Sequence, residues 1–164
     1  MQRPRVKIAM SNTDRVIEFV SASGLILMFA IMLLYYRKLP TTIPQHYNAA
    51  GEPDAFGNKS TVWILPILAF VVYSMLTAAL RYSHRFNFPY KITEENAERQ
   101  YRNSVLMLRI LKLIIVFGFC YLTYATVQNG LGEMNGIGVM FLPLFLAMIF
   151  GVNAIFIYRG FKLR

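Results

Sequence analysis

The sequence predicts an all-α integral membrane protein with four transmembrane helices, and composition is the first reason. Of its 164 residues, 56% are hydrophobic and only 15% are charged, which lies outside the usual range for soluble domains. The second reason is the segregation of charge, because four long runs contain no charged residue: 19–36, 60–80, 113–132 and 134–158. Each run is close to the ~20 apolar residues that cross a bilayer.

We therefore predict a single membrane domain over residues 1–164, with spans at about 17–36, 62–81, 105–128 and 137–158. The first run is too long for the apolar part of a signal peptide, and Tyr35-Tyr36-Arg37-Lys38 stands where a small-residue cleavage site would be, so we interpret it as a retained span. Pro66 is expected in the first turn of the second helix. Pro143 is expected to kink the fourth helix or to mark its start.

Basic residues predict the topology. With four spans, both termini lie on one side, and all but three of the 17 Lys and Arg residues are on that side, the exceptions being Arg37, Lys38 and Lys59. This asymmetry predicts cytoplasmic termini and an extracytoplasmic loop at residues 39–60. The net charge of +9 is then a topology signal that favours the lipid bilayer as partner, and not nucleic acid. Residues 1–14 lack apolar periodicity and predict a mobile cytoplasmic tail.

The loop at residues 39–60 is predicted to be ordered, although it is polar. Pro40, Pro44 and Pro53 fix the backbone at three points. Gly51 and Gly57 supply positions where φ can be positive. A flexible tether would have no use for so many conformational restrictions.

Chemically capable side chains are densest in this loop, which contains His46, Asn48, Glu52, Asp54 and Lys59. They allow a ligand-binding surface, a metal site of His46, Glu52 and Asp54, or a general base made of His46 and Asp54. One His and two carboxylates match no specific metal spacing, and no nucleophile is placed beside the pair. We therefore assign no catalytic residue and no cofactor. The alternative is structural, with Asn48 and Asp54 capping turns and His46 packed under the loop.

A second candidate surface precedes the third span. Thr93 can cap an amphipathic cytoplasmic helix over Thr93–Lys112 that continues into the span. Its exposed face is a candidate surface for a cytoplasmic partner, represented by Glu95, Arg99, Tyr101 and Arg102. The alternative is a solvated helical extension of the span. The absence of ionisable residues from the four runs disfavours a proton-coupled transporter.

The loop motif resembles a known family. LPTTIPQHYNAAGEPDAFGNKSTVWILP, residues 39–66, is similar to the signature of the bacterial membrane domain of unknown function 1648, LP-x-x-IP-x-H-(F/Y)-N-x-x-G-x-x-D-x-(F/W)-G-x-K. The motif positions that we take as the ligand-binding or structural set are Pro40, Pro44, His46, Asn48, Gly51, Asp54, Gly57 and Lys59. The resemblance implies a bacterial inner-membrane location. The same domain begins SdpI-type immunity proteins, which protect against the secreted SDP toxin and are described as signalling through a membrane-held repressor.

Together, these features favour a non-enzymatic bacterial inner-membrane protein that binds or senses an extracytoplasmic ligand through the 39–60 loop. The specific forms of this function are toxin immunity and envelope-stress signalling. The expected ligand is a secreted peptide or an envelope component, and the expected cytoplasmic partner is a regulator. The alternatives are a membrane-embedded enzyme or metal-dependent module using His46, Glu52 and Asp54, and a small transporter or transporter subunit. The oligomeric state stays open.

Overall fold

A computed structural model describes residues 3–164, in which four long helices and one β-hairpin follow one another as α1–β1–β2–α2–α3–α4. The helices are α1 at Asn12–Tyr35, α2 at Ile64–Ala79, α3 at Ala97–Gly130 and α4 at Phe141–Lys162. The strands are β1 at Thr42–Tyr47 and β2 at Pro53–Asn58. Short 3-10 turns flank α1 and α2 at Tyr36–Lys38, Lys59–Trp63 and Leu80–Arg85.

All four helices within the described residues, α1 and α2 together with their 3-10 turns, are long and apolar enough to cross a membrane. This confirms the predicted fold class. The middle helix of the packing is α3, which contacts α1, α2 and α4, while α4 packs mainly on α3. The core between α1, α2 and α3 is formed by Leu25, Met28, Ala69, Val116 and Cys120. Large apolar side chains cover the outer helix faces, as expected where the solvent is lipid.

Helix starts follow local chemistry. Ser11 caps α1, and its hydroxyl accepts from the Asp14 N–H while the Asp14 carboxylate accepts from the Ser11 N–H, which satisfies two free helix-end donors. Pro66 and Pro143 are both the third residue of their helices, where a missing N–H costs little. Pro143 therefore marks the start of α4, one of the two outcomes expected for it.

The fourth helix begins four residues later than predicted, at Phe141 and not at residue 137. Ile137 belongs instead to the glycine-rich loop between α3 and α4, where its N–H donates to the Gly51 carbonyl at 2.7 Å. Because its N–H is bonded to the hairpin, Ile137 is held in the loop and does not extend α4 toward its N-terminus. Hydropathy alone could not reveal it, because Ile137 is as apolar as the span that follows.

The ordered 39–60 loop is an antiparallel β-hairpin, which the sequence did not lead us to expect. Thr42 pairs with Asn58 and Tyr47 with Pro53, with a bulge around Gln45. Pro, Gly, Asp and Asn are depleted in strands, and β2 contains all four. They are tolerated because both strands of a two-stranded sheet are edge strands. Each strand forms backbone hydrogen bonds on one side only, so a residue that lacks an N–H or favours a turn disrupts little.

The end of the bundle that carries the start of α1 and the end of α4 is called the tail end, and the opposite end is called the hairpin end. The prediction of a mobile segment over residues 1–14 is wrong for the described residues; Met1 and Gln2 lie outside them. Pro4 accepts a hydrogen bond from the Tyr101 hydroxyl at 3.0 Å, and Val6 and Ile8 pack on a small core of Ile92, Ala97 and Tyr101. Val6 and Ile8, which stand among charged residues, thus attach the segment before α1 to the bundle.

The predicted partner helix also needs correction. Helix α3 begins at Ala97, so Glu95 lies in the preceding turn, which Thr93 and Asn96 close with reciprocal side-chain hydrogen bonds. Tyr101 is fully buried and therefore belongs to the core, because its ring supplies the apolar partner for the N-terminal segment. Glu95, Arg99 and Arg102 are exposed, and their role in a partner surface stays a prediction.

Candidate functional site

The hairpin turn is organised by Asn48. Its side-chain oxygen accepts from the Ala50 and Glu52 N–H groups at 2.9 and 3.0 Å. Its backbone also pairs with the Glu52 carbonyl and the Gly51 N–H. A short amide side chain can bond to the backbone two to four residues on, which explains why Asn stands at this position. The predicted turn-capping role of Asn48 is confirmed.

Gly51 joins the hairpin tip to the loop between α3 and α4. Its φ is +80°, a conformation that L side chains rarely adopt. A Cβ at Gly51 would lie 2.7 Å from the Gly138 carbonyl oxygen, and one at Gly136 would meet the Gly51 carbonyl. Asn129 holds the other side of this loop through hydrogen bonds between its amide and Gly136. The two loops therefore form one cap on the hairpin end.

The base of the hairpin is anchored in the bundle. Ile43 is fully buried in a core with Met32, Leu39, Val62 and Val127. Lys59 folds back so that its ammonium donates to the Leu39 carbonyl at 2.9 Å, and it also lies over the Tyr36 ring, 5.2 Å from the centroid. The predicted motif residue Lys59 is thus engaged within the protein.

Gly57 and Pro44 complete the support. A Cβ on Gly57 would collide with the Gln45 carboxamide. That carboxamide bonds to the Thr61 hydroxyl at 2.9 Å and so joins β1 to the 3-10 turn that precedes α2. Pro44 is buried beside Ile43, whereas Pro40 is exposed. Most of the predicted motif therefore builds the hairpin and attaches it to the helices.

His46 and Asp54 are the motif residues without such a structural task. The His46 Nδ1 lies 2.6 Å from the Asp54 Oδ1, and the two side chains are 69% and 42% exposed. The structural alternative placed His46 under the loop, and its exposure shows that this is wrong. A carboxylate on Nδ1 orients the imidazole and directs Nε2 away from Asp54. The pair therefore presents an oriented hydrogen-bonding group at the surface of a rigid hairpin.

A cleft of about 460 Å³ lies beside His46. Its walls come from β1, the start of α2, the second half of α3, the loop between α3 and α4, and the start of α4, and they include Leu65, Leu122, Thr126, Ile137 and Phe141. Its volume is within the range of about 300–1,000 Å³ that is usual for small-ligand sites. The hairpin thus both carries the polar pair and roofs a cavity.

Tyr47 connects the roof of this cleft with α3. Its hydroxyl donates to the Thr126 hydroxyl at 3.3 Å. Burial raises the pKa of the Tyr47 phenol, and the hydrogen bond with Thr126 opposes this only in part. The phenol consequently stays neutral at physiological pH and keeps its proton for this contact.

Glu52, the third candidate metal ligand, does not join the other two. Its carboxylate lies 3.5 Å from the Asn48 side-chain nitrogen. Across residues 3–164, no three His, Cys, Asp or Glu side chains are grouped so that they could hold a metal ion. His46 and Asp54 alone supply two ligands, fewer than a zinc site normally has.

The tail end contains a charged cluster that the sequence analysis missed. The Lys112 ammonium lies 2.6 Å from Glu18 and 2.9 Å from the Thr77 hydroxyl, with the Tyr73 ring 4.6 Å away. Arg109 bonds to Glu18 at 3.1 Å and lies 2.8 Å from Asp14, although that second contact is poorly aligned for a hydrogen bond. Lys112 is fully buried and Arg109 is 6% exposed.

Spacing could have revealed this cluster. Asp14 and Glu18 are four residues apart on α1, and Arg109 and Lys112 are three apart on α3, so each pair occupies one helix face. Two acids and two bases on the entry turns of two spans predict an interhelical ion pair.

Comparison with known proteins supports the resemblance found in the hairpin motif. Residues 24–70 match the family described as Domain of unknown function (DUF1648), and the hairpin lies entirely inside this segment. An uncharacterized protein of Archaeoglobus fulgidus is 27% identical over 159 residues, which cover 88% of this chain and 84% of that protein. No solved structure matches the chain. The recognition of this domain from its motif is thus confirmed over residues 24–70.

Proposed function

We propose that this chain is a non-enzymatic membrane protein that binds a ligand at the outer surface of the cytoplasmic membrane through its hairpin. The observation that carries the proposal is the His46–Asp54 pair. Its neighbours hold the hairpin in place, yet the pair itself remains exposed, and His46 lies at the rim of a cleft. Surface polar groups that are positioned but not used by the fold are typical of binding sites. Toxin immunity and envelope-stress sensing are the specific forms of this function.

The distribution of basic residues supports an outward-facing hairpin. Fourteen of the 17 Lys and Arg residues lie at the tail end, since only Arg37, Lys38 and Lys59 lie at the hairpin end. The positive-inside rule then assigns the tail end to the cytoplasm. Exposed Glu95, Arg99 and Arg102 would in that case face a cytoplasmic regulator.

Topology is tested first. Ala49 is exposed in the hairpin turn and its side chain forms no hydrogen bond there, so Ala49→Cys in a Cys120→Ala background should fold normally. A membrane-impermeant thiol reagent should label it in intact cells. Labelling that appears only after the cells are broken would place the hairpin in the cytoplasm and remove the proposal.

The binding site is tested by three variants. His46→Ala and Asp54→Ala should lose protection against secreted peptides and envelope stresses, in competition with the parent strain, at unchanged membrane abundance. Glu52→Ala is the matched control, because Glu52 is an exposed carboxylate of the same hairpin that does not contact His46. Loss of abundance in parallel with protection would instead assign the pair a structural role.

A general-base function is the second candidate, and the same pair favours it. A carboxylate on Nδ1 leaves Nε2 to exchange a proton, which is the geometry of a histidine base. Under this alternative the ligand is consumed, whereas under the binding proposal it is recovered unchanged from the purified protein. His46→Gln separates the two, because an amide can still hydrogen-bond but cannot act as a base at neutral pH.

A further inference from the structure

The cleft under the hairpin straddles the level at which lipid headgroups are expected. Trp63, next to two residues that line the cleft, packs on Tyr36 with 5.7 Å between ring centroids. Lys38 lies over the Tyr35 ring at 5.1 Å. Aromatic and basic side chains of this kind mark the membrane–water interface. The cleft therefore begins among headgroups and extends toward the hydrocarbon.

The upper part of the cleft is polar. Six consecutive residues, Pro44–Ala49, line it. Successive side chains of a strand point to opposite faces of the sheet, so one face alone would contribute only every second residue. The consecutive lining therefore indicates that the edge of β1 borders the cleft. Polar side chains in this part of the lining belong to Gln45, His46, Tyr47 and Asn48, and the Gln45 carboxamide is already bonded to Thr61. No described residue donates to or accepts from the His46 Nε2.

The lower part is hydrocarbon. Leu65 of α2, Leu122 of α3, and Phe141 and Leu142 of α4 form its walls. At its mouth, Ile64 and Leu142 are 60% and 44% exposed, and both belong to helices long and apolar enough to span the membrane. The opening thus lies between apolar faces of helices that are able to span a membrane.

We propose that this cleft binds one phospholipid of the outer leaflet, with an acyl chain between α2 and α4 and its polar headgroup under β1, where a headgroup hydroxyl can donate to the His46 Nε2. The inference names the ligand class of the proposed hairpin site and rests on that function. A volume of about 460 Å³ excludes a folded protein. A peptide is disfavoured because its backbone N–H and C=O groups would find no partners among the leucines and the phenylalanine, whereas an acyl chain needs none.

Native mass spectrometry of the full chain, purified in detergent and supplied with phosphatidylglycerol, tests this directly. Wild type should retain one lipid per chain, and Leu122→Trp, which fills the cleft, should retain at least about fivefold less at an unchanged melting temperature. Ile114→Trp is the control, because Ile114 does not line the cleft but lines a second, apolar groove of about 480 Å³ formed mainly by α3 and α4. Equal retention in the two variants, no retained lipid in wild type, or a retained mass that fragments as a peptide would overturn the inference.

Tryptophan quenching gives a second readout if Leu122→Trp fails to fold. In a Trp63→Phe background, Leu142→Trp and Leu146→Trp each place a single tryptophan probe on one face of α4. The native leucines are similarly exposed, at 44% and 40%. Only Leu142 lines the cleft. Half-maximal quenching of the probe at 142 should need a clearly lower mole fraction of brominated phosphatidylglycerol than half-maximal quenching of the probe at 146. Identical curves would overturn the inference, while the protection assay with His46→Ala would still test the proposed function by itself.

Discussion

Two clusters of ionisable side chains at opposite ends of the bundle differ in how much they are hidden from solvent. The His46 and Asp54 side chains at the hairpin end are 69% and 42% exposed. At the tail end, the side chains of Asp14, Glu18, Arg109 and Lys112 are 7%, 18%, 8% and 1% exposed. An exposed ion pair contributes little to stability, about 0–1 kcal/mol. A buried cluster is costly to break, because removal of one member leaves another charge unpaired away from water.

The contrast indicates different uses of charge. The tail-end cluster joins α1 to α3 and is a structural element, since its charges are neutralised within the bundle. The hairpin pair contributes little to the fold and is therefore free to bind something else. Four substitutions test this difference, from the largest expected effect on unfolding to the smallest.

Lys112→Met should have the largest effect, lowering the free energy of unfolding by about 3–5 kcal/mol, because Asp14 and Glu18 then share Arg109 as their only cation and the cluster keeps one uncompensated negative charge. Denaturant titration in micelles measures it. The double variant Glu18→Leu with Lys112→Met should cost less than Lys112→Met alone, since it removes both opposite charges. A single-variant cost below about 1 kcal/mol would show that the cluster is effectively solvated.

Gly51→Ala should cost about 2–3 kcal/mol, from a positive φ that alanine disfavours by about 1–2 kcal/mol and from the contact with Gly138. Gly132→Ala is the control, because Gly132 has a φ of +78° but nothing within 4 Å of its Cβ position. The difference between the two variants measures the contact between the loops. Limited proteolysis of residues 129–138 should increase only in Gly51→Ala, and equal cleavage would contradict the joint cap.

Asn48→Ala should cost about 1–2 kcal/mol, because two backbone N–H groups of the turn lose their acceptor. Asn48→Asp keeps an acceptor oxygen and should stay within about 0.5 kcal/mol of wild type. Thermal unfolding in micelles compares them. If both variants lose the same stability, the turn does not depend on this oxygen.

His46→Ala should change the free energy of unfolding least, by less than about 0.5 kcal/mol, because exposed substitutions away from packed or capped positions have small effects. The same variant should abolish protection in the strain competition. A loss of 2 kcal/mol or more, on the order of a core defect, would place the hairpin pair in the same structural class as the tail-end cluster.

Much of the fold could be predicted from residue order. The spans followed from the spacing of charges, and Pro66 and Pro143 stand in the first turns of α2 and α4, as local backbone chemistry requires. The error at Ile137 and the unrecognised strand β2 have one cause. In both, a contact with a distant segment outweighs the local preference.

The site was predictable as a segment but not as an arrangement. His46 and Asp54 were recognised as candidates, and a β-hairpin brings their side chains to 2.6 Å. Glu52, two residues from Asp54, was an equally good candidate by spacing and lies outside the pair. Which carboxylate meets the imidazole depends on the register of β1 and β2, because a shift of one residue moves a side chain to the other face.

Membrane insertion, the position of the helices and the restricted shape of the 39–60 loop are encoded locally, because hydropathy sums along the chain and proline and glycine act on their own backbone. The cleft, the joint cap and the buried Lys112–Glu18 contact arise from folding in three dimensions. Lys112 and Glu18 are 94 residues apart in sequence, and packing on α3 brings them together. Such contacts depend on the relative placement of whole helices, which no stretch of this chain specifies alone.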